Sequence, residues 1–267
     1  MNLKDWYNNT KDIFLPRDMN FLIKETFGEV INICDSDINI PAEKLNFLDK
    51  AKHEYLSGKP LAYSLGKEEF YGHTFNVNQD VLIPRVETEI ITEKTLEYIK
   101  KYKIINVLDL CCGSGVIGLT LKRLVPGLNI VCSDISEEAL DVAKKNALKD
   151  NLKIRFYQSD IFAGLNDNEY QLIVTNPPYV ESSQIEGSLT HEPFLALDGG
   201  ITGFDLLDKI FSEAGKYLTD KGFLIFEMGY NQKDVAKEKI EKYGYKVVEW
   251  IKDYSDNWRG GVLLKSK

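Results

Sequence analysis

From residue 104 onward, short apolar runs alternate with stretches whose apolar residues recur at three- and four-residue spacing. The runs are rich in β-branched residues and fall at 104–110, 129–133, 153–158, 170–175, 223–228, 245–251 and 261–264. Between them, 116–125, 136–149, 203–218 and 231–243 carry the helical period. Strand–helix alternation needs crossover connections, which build a mainly parallel sheet covered on both faces. Only Ser255–Gly260 separates the last two runs, too few residues for a helical crossover, so these strands should pair antiparallel.

Upstream the period is helical. Phe21, Leu22 and Phe27, then Leu45, Leu48, Tyr55 and Leu56, mark apolar stripes, with Asp18 and Pro41 where helices start and Gly58 and Pro60 where the last ends. From Glu69 to Ile83 the pattern alternates, which predicts a β-hairpin turning at Gly72-His73. Pro84 then opens a helix whose early acids, Glu87 and Glu89, suit its N-terminal dipole. The expected division is a small helical domain over 1–76 and an α/β domain over 77–267 that begins with the hairpin as a linker.

Composition narrows the function classes. Of 267 residues, 43% are hydrophobic and 28% charged, ordinary for a globular protein, and the net charge is −8. A surface built for bare nucleic acid usually carries a basic excess, so this balance disfavours a DNA or RNA partner. Cys34, Cys111, Cys112 and Cys132 form no CxxC pair and no zinc-ligand spacing, so no metal is expected. Reduced thiols, a polar stretch from Met1 to Phe14 and the lack of a run of about 20 apolar residues predict a cytoplasmic protein without a membrane span.

Two stretches carry chemistry. The run ending at Leu110 enters Cys111-Cys112-Gly113-Ser114-Gly115, and a helix follows. Glycines let backbone approach a ligand closely, and a helix N-terminus offers free amides and positive potential. The next run ends in Asp134, about 20 residues past Gly113, where a carboxylate suits the two hydroxyls of a ribose. Asp134 could equally cap the helix starting near Ser136. A third run ends in Ser159-Asp160-Ile161-Phe162: Asp160 can accept from an adenine amino group, and Ile161 or Phe162 can cover its ring. Ligands of open α/β sheets bind at these carboxyl ends.

The fourth run ends in Asn176-Pro177-Pro178-Tyr179. An amide or aromatic amine nitrogen is a poor nucleophile because its lone pair is delocalised. Hydrogen-bond acceptors on its N–H groups draw it toward tetrahedral geometry. The Asn176 side-chain oxygen can serve as one and the Pro177 carbonyl as another. Paired prolines hold the backbone extended, and Tyr179 offers a flat face for a planar group. The alternative is a strand-closing turn with Tyr179 in the core.

These segments together resemble class I methyltransferases of planar nitrogens. Leu82 to Glu89 looks like the IPRxET segment of the HemK/PrmC family, the N5-glutamine methyltransferases of peptide chain release factors. His191-Glu192-Pro193 with Ala196-Leu197 and Gly203, Glu227-Met228-Gly229 with Gln232, and the stretch from Gly58 to Gly72 resemble further segments of that family. The resemblance implies a Rossmann-like, mostly parallel sheet with its last strand antiparallel and a small N-terminal helical domain for release-factor recognition. It implies methyl transfer from S-adenosylmethionine, leaving S-adenosylhomocysteine, to the glutamine of a Gly-Gly-Gln loop. Residues 111 to 115, Asp134, Ile161 and Asn176 would line the cofactor, which Asp160 would join on its own chemistry; Asn176 to Tyr179, with Arg85 and Glu87, would hold the acceptor. Two departures stand out. Cys111 replaces a glycine and calls for an ordinary φ or a shifted loop, and Ile161 replaces a tryptophan.

Glu192 could orient the loop after the tetrapeptide or be a surface acid, and Tyr254, Trp258 and Arg259 could edge the substrate site or pack. His53, His73 and His191 form no triad. Competing functions are methylation of a ribosomal-protein glutamine, of a nucleic-acid exocyclic amine such as adenine N6, and a non-catalytic cofactor-binding module.

Overall fold

The computed structural model describes residues 1–28, 31, 38–165 and 170–266. They form two compact units, Met1–Lys67 and Glu68–Lys267. Cys34 lies outside the described residues.

The first unit is helical: α1 (Leu3–Thr10), α2 (Pro16–Phe27), α3 (Ala42–Leu56) and α4 (Leu61–Leu65). The Asn2 side chain caps α1 by accepting the Lys4 N–H. Pro16 begins α2, where a missing N–H costs nothing, and Gly28 ends it at φ 82°. Leu3, Trp6, Phe14, Met19, Leu22 and Leu48 form its core. α3 ends just before Gly58 and Pro60, as expected, but it is not the last helix, because Pro60 leads into α4.

In the second unit, β1 (Lys67–Phe70) and β2 (His73–Asn76) form the hairpin. Its turn is Tyr71-Gly72, one residue earlier than expected. Both residues have positive φ, 51° and 73°, as a tight hairpin turn whose twist matches its strands requires. Phe70 and Phe75 meet edge-on at 6.1 Å and belong to the core of this second unit. The boundary therefore falls at Lys67/Glu68, not after residue 76.

The helix expected from Pro84 starts at Val86 as α5 (Val86–Tyr102), with Arg85 extended before it. There follow β3 (Asn106–Leu110), α6 (Val116–Leu124), β4 (Asn129–Asp134), α7 (Glu137–Lys149), β5 (Arg155–Gln158) and β6 (Tyr170–Thr175). Then come α8 (Phe194–Leu197), α9 (Asp205–Tyr217), β7 (Leu218–Glu227), α10 (Lys233–Lys242), β8 (Tyr245–Lys252) and β9 (Trp258–Lys265). The seven-stranded sheet runs β5-β4-β3-β6-β7-β9-β8. Strands β3 to β7 are parallel, while β9 is antiparallel to both its neighbours. This is the Rossmann-like order of class I methyltransferases.

Period-two alternation explains the two cores. Val107, Leu172 and Ile225 face the side packed by Ile91 of α5, Leu119 of α6 and Leu140 of α7. Leu108, Ile173 and Leu224 face Leu207, Ile210 and Phe211 of α9 and Ile240 of α10. Burial on both faces makes the strands continuously apolar, and each large side chain so buried contributes about 1.5–3 kcal/mol. α6 rides close to the sheet: a Cβ on Gly118 would meet Cys132 Sγ at 2.6 Å and Asp109 Oδ2 at 2.9 Å. From β3 the chain winds outward through β4 and β5, then returns to place β6 on the other side of β3. Such a reversal opens a crevice beyond the strand ends. Among the described residues, no helix is long and apolar enough to cross a membrane.

Candidate active site

A cleft of about 670 Å³ opens where β3, β4 and β6 end. Cys111, Cys112, Gly113 and Ser114 border it from β3, Asp134 to Ser136 from β4, and Asp160 and Ile161 beyond β5. Asn176 and Pro178 border it from β6, and Pro84, Arg85 and Thr88 from the start of α5. The glycine-bearing turn and the asparagine thus face one shared space.

On the β3–β4 side, Asp134 ties the turn to its own strand. Its Oδ2 accepts the Gly113 N–H at 2.8 Å and its Oδ1 the Ser136 N–H at 3.1 Å. Burial raises the Asp134 pKa, and those amides oppose the shift. Ser136, not Asp134, caps α7 by accepting the Ala139 N–H. A Cβ on Gly113 would meet nothing within 4 Å, so the backbone there borders open cleft. Gly115, at φ 81°, caps α6 but lies behind the lining, against Leu119 and Ala143.

Cys111 corrects an expectation. Its φ is 59°, so the loop keeps the left-handed conformation that glycine favours and strains a Cβ residue to do so. Ile161 is also left-handed, at 52°, and lines the cleft. Phe162 does not cover the cleft: it is buried and stacks on Tyr217 at 4.4 Å. Burial pushes the Cys111 thiol far above its ordinary pKa, which leaves it no thiolate character.

Beneath this turn lies a carboxylate that no spacing or turn signal marks. Asp109, in the middle of β3, is fully buried; its Oδ2 accepts the Gly118 N–H at 2.8 Å and its Oδ1 has no hydrogen-bond partner. Burial drives its pKa to about 7.

On the β6 side, Asn176 Nδ2 donates to Thr88 Oγ1 at 3.0 Å, and Thr88 Oγ1 donates to Glu227 Oε2 at 2.8 Å. The Tyr179 hydroxyl donates to Glu227 Oε1 at 3.1 Å. Among the described residues, no donor is hydrogen-bonded to Asn176 Oδ1. Tyr179 and the buried Pro177 stand behind Asn176 and Pro178 and do not line the cleft. Glu227 ends β7 fully buried, and burial drives its pKa to about 7 against the opposing bonds from Thr88 and Tyr179.

Glu192 is not a surface acid. It is buried, accepts the Ile83 N–H at 3.0 Å and pairs with Arg85, so it clamps the approach to α5 onto the loop after β6. Gln232 Nε2 donates to the carbonyls of Tyr179 and Gly203, both at 3.0 Å. Glu87 lies outside the cleft lining, 3.7 Å from Arg259, which also binds Asp253. Trp258 packs under Lys233, and Tyr254 is exposed.

Thr88, Glu227 and Gln232 sit in segments that resemble the family, but their roles become visible only in the fold. An acid ending the otherwise apolar run Phe223–Phe226 was the available signal, since a buried carboxylate needs a purpose or partners.

The family model described as "Methyltransferase small domain" matches residues 87–197. A release factor glutamine methyltransferase of Clostridium botulinum is 39% identical over 73% of this chain and 71% of its own length. A ribosomal protein uL3 glutamine methyltransferase of Francisella tularensis is 38% identical over 71% of this chain and 63% of its own length. The solved structure of a methyltransferase from Pyrococcus furiosus shares the fold, with a TM-score of 0.56 at 19% identity over 81% of this chain and 98% of that one. Sheet order, cleft and relatives together define an S-adenosylmethionine-dependent methyltransferase. Within that class, the chain belongs to the release factor glutamine methyltransferase family.

Proposed function

We propose that this enzyme methylates the side-chain amide nitrogen of the glutamine in the Gly-Gly-Gln loop of a peptide chain release factor. The observation that carries this reading is Asn176: it borders the same cleft as Gly113 and Asp134, and its amide oxygen is left for an incoming N–H.

The cleft fits S-adenosylmethionine. Asp134 keeps lone pairs for a diol after holding two amides, Ile135 and Ile161 supply apolar walls for a ring, and Gly113 leaves room for close approach. When bound, the cofactor supplies an electrophilic sulfonium methyl, so the protein's task is to place and polarise the acceptor. The Asn176 oxygen takes one amide hydrogen, while Pro177, buried behind the lining, takes no part in holding the other. That bond would hold the glutamine side chain against Pro178 and draw electron density onto its nitrogen. With the cofactor bound at Gly113 and Asp134, methyl transfer to the nitrogen held by Asn176 would release one amide proton, which water would accept. Tyr179 acts from behind, holding Glu227 instead of stacking on the substrate. Arg85 contributes by its pair with Glu192, which fixes the rim beside Thr88. The helical unit Met1–Lys67 would serve in recognising the factor.

The test uses the purified full chain and methyl-labelled cofactor against three acceptors: a release factor, ribosomal protein uL3 and nucleic acid. Label on the Gly-Gly-Gln glutamine is expected. Label on uL3 alone would move the assignment to the Francisella relative's substrate, and no label on either protein would reject glutamine methylation.

A further inference from the structure

The bonds behind Asn176 have a direction. A carboxylate only accepts hydrogen bonds, so the Thr88 hydroxyl must spend its single proton on Glu227. The Thr88 oxygen then has only lone pairs for Asn176, and Asn176 must present its NH₂ to it. The amide oxygen is thereby turned to the other side, toward the cleft. An asparagine without this constraint could equally present its NH₂ to the cleft, where it would repel an N–H donor.

We propose that Glu227, acting through Thr88, is the positioning residue that fixes the Asn176 amide with its oxygen toward the acceptor. The inference rests on the reading of Asn176 as the group that receives the acceptor N–H. Glu227 lies outside the cleft lining and acts through Thr88, and together they set which atom Asn176 offers. The relay is buried, with Thr88 3% and Glu227 0% exposed, so water competes poorly for either partner's place. Tyr179 holds the second carboxylate oxygen and stops the carboxylate from rotating away.

The relay also links activity to pH. A protonated Glu227 gains a donor, which lets Thr88 reverse its proton and frees Asn176 to flip. The groups facing Glu227 are Thr88 and Glu87 of α5, Tyr179 after β6 and Arg259 of β9. Of these, Glu87 favours the protonated form and Arg259 opposes it, while Thr88 and Tyr179 favour the carboxylate. Turnover should therefore fall as pH drops through the neutral range.

The experiment compares wild type with Thr88→Val, Thr88→Ser and Glu227→Gln. Turnover and KM are measured across pH with the release-factor acceptor, and S-adenosylhomocysteine affinity by calorimetry. Thr88→Val is expected to lower kcat by about tenfold or more while product affinity stays within about threefold, because only the polarising contact is lost. Thr88→Ser, which restores the hydroxyl, should recover most of that loss. Glu227→Gln should lower kcat and remove the acid limb seen in wild type. Full kcat in Thr88→Val, a Thr88→Ser as impaired as the valine variant, or an acid limb that persists in Glu227→Gln would each overturn the relay. Should Thr88→Val not fold, the serine and glutamine variants decide alone. A wild-type enzyme that labels no acceptor would instead defeat the functional reading.

Discussion

Along the cofactor wall of the cleft, shape comes from backbone: Cys111, Gly113 and Ile161 all sit at positive φ, between 52° and 59°. Along the acceptor wall, Thr88, Asn176, Tyr179 and Glu227 have no such φ, and shape comes from side chains bonded across 88 and 139 residues of sequence. Each wall also has a buried carboxylate near it, and the two differ in kind. Asp109 holds one amide and leaves an oxygen unpaired, whereas both oxygens of Glu227 receive hydroxyls. The contrast teaches that a cofactor with a fixed outline can be met by a rigid, strained turn. A single N–H donor needs an acceptor of the right polarity, and only a hydrogen-bond chain supplies that.

The largest effect should follow from breaking the acceptor wall alone. Asn176→Ala is expected to cut kcat by about a hundredfold or more, with S-adenosylhomocysteine affinity kept or moderately weakened in calorimetry. Unchanged turnover would remove Asn176 from the mechanism.

Next comes the unpaired carboxylate. The folded pKa of Asp109, about 7, lies above its ordinary 3.8. The folded state therefore binds the proton more tightly than the unfolded state does. The stability this provides is complete below about 3.8 and is lost as pH rises through about 7. Asp109→Asn should thus gain on wild type by about 2 kcal/mol in urea unfolding at pH 8, and by clearly less at pH 5. Equal gains at both pH values would show that Asp109 does not titrate as its burial demands.

Asp134→Ala loosens the cofactor wall. It is expected to weaken S-adenosylhomocysteine binding about tenfold, while KM for the acceptor barely moves. A larger change in acceptor KM than in cofactor affinity would merge the two walls into one unit.

The smallest effect is at Cys111. A left-handed Cβ residue carries strain of about 1–2 kcal/mol, partly offset in a glycine variant by the extra freedom of its unfolded chain. Cys111→Gly should raise stability by at most about 1 kcal/mol and leave product affinity unchanged. A clear loss of stability would mean that thiol packing outweighs the strain.

The same contrast explains what the amino-acid pattern revealed. The cofactor wall was legible because it is local: a glycine-bearing turn after one run and a carboxylate after the next fall in order along the chain. The strands and helices were legible because two-sided burial forces apolar runs. β7 is longer than its run because Thr219, Asp220 and Lys221 continue the strand with polar side chains after Leu218 pairs with Tyr170. The conformation of Cys111 was not legible, since a motif glycine's replacement suggests relaxed backbone, and here the turn overrides the residue. Asn176 was found from its tetrapeptide, yet its partners were not. Thr88 and Glu227 meet it only once α5 and β7 lie beside β6, and no periodicity encodes that meeting. Tyr179, whose flat face suggests stacking on the substrate, instead holds Glu227, an acid 48 residues further along the chain.

The place of β9 has a consequence for biosynthesis. β8 is made before β9, yet its only neighbour in the sheet is β9, and β7 has β9 on its far side. While a ribosome is still extending the chain toward Trp258, the outer edge of β7 stays bare and β8 has nothing to zip onto. An incomplete polypeptide would thus carry an open, adhesive β-edge ending at Glu227, the kind of edge that recruits aggregation partners or chaperones.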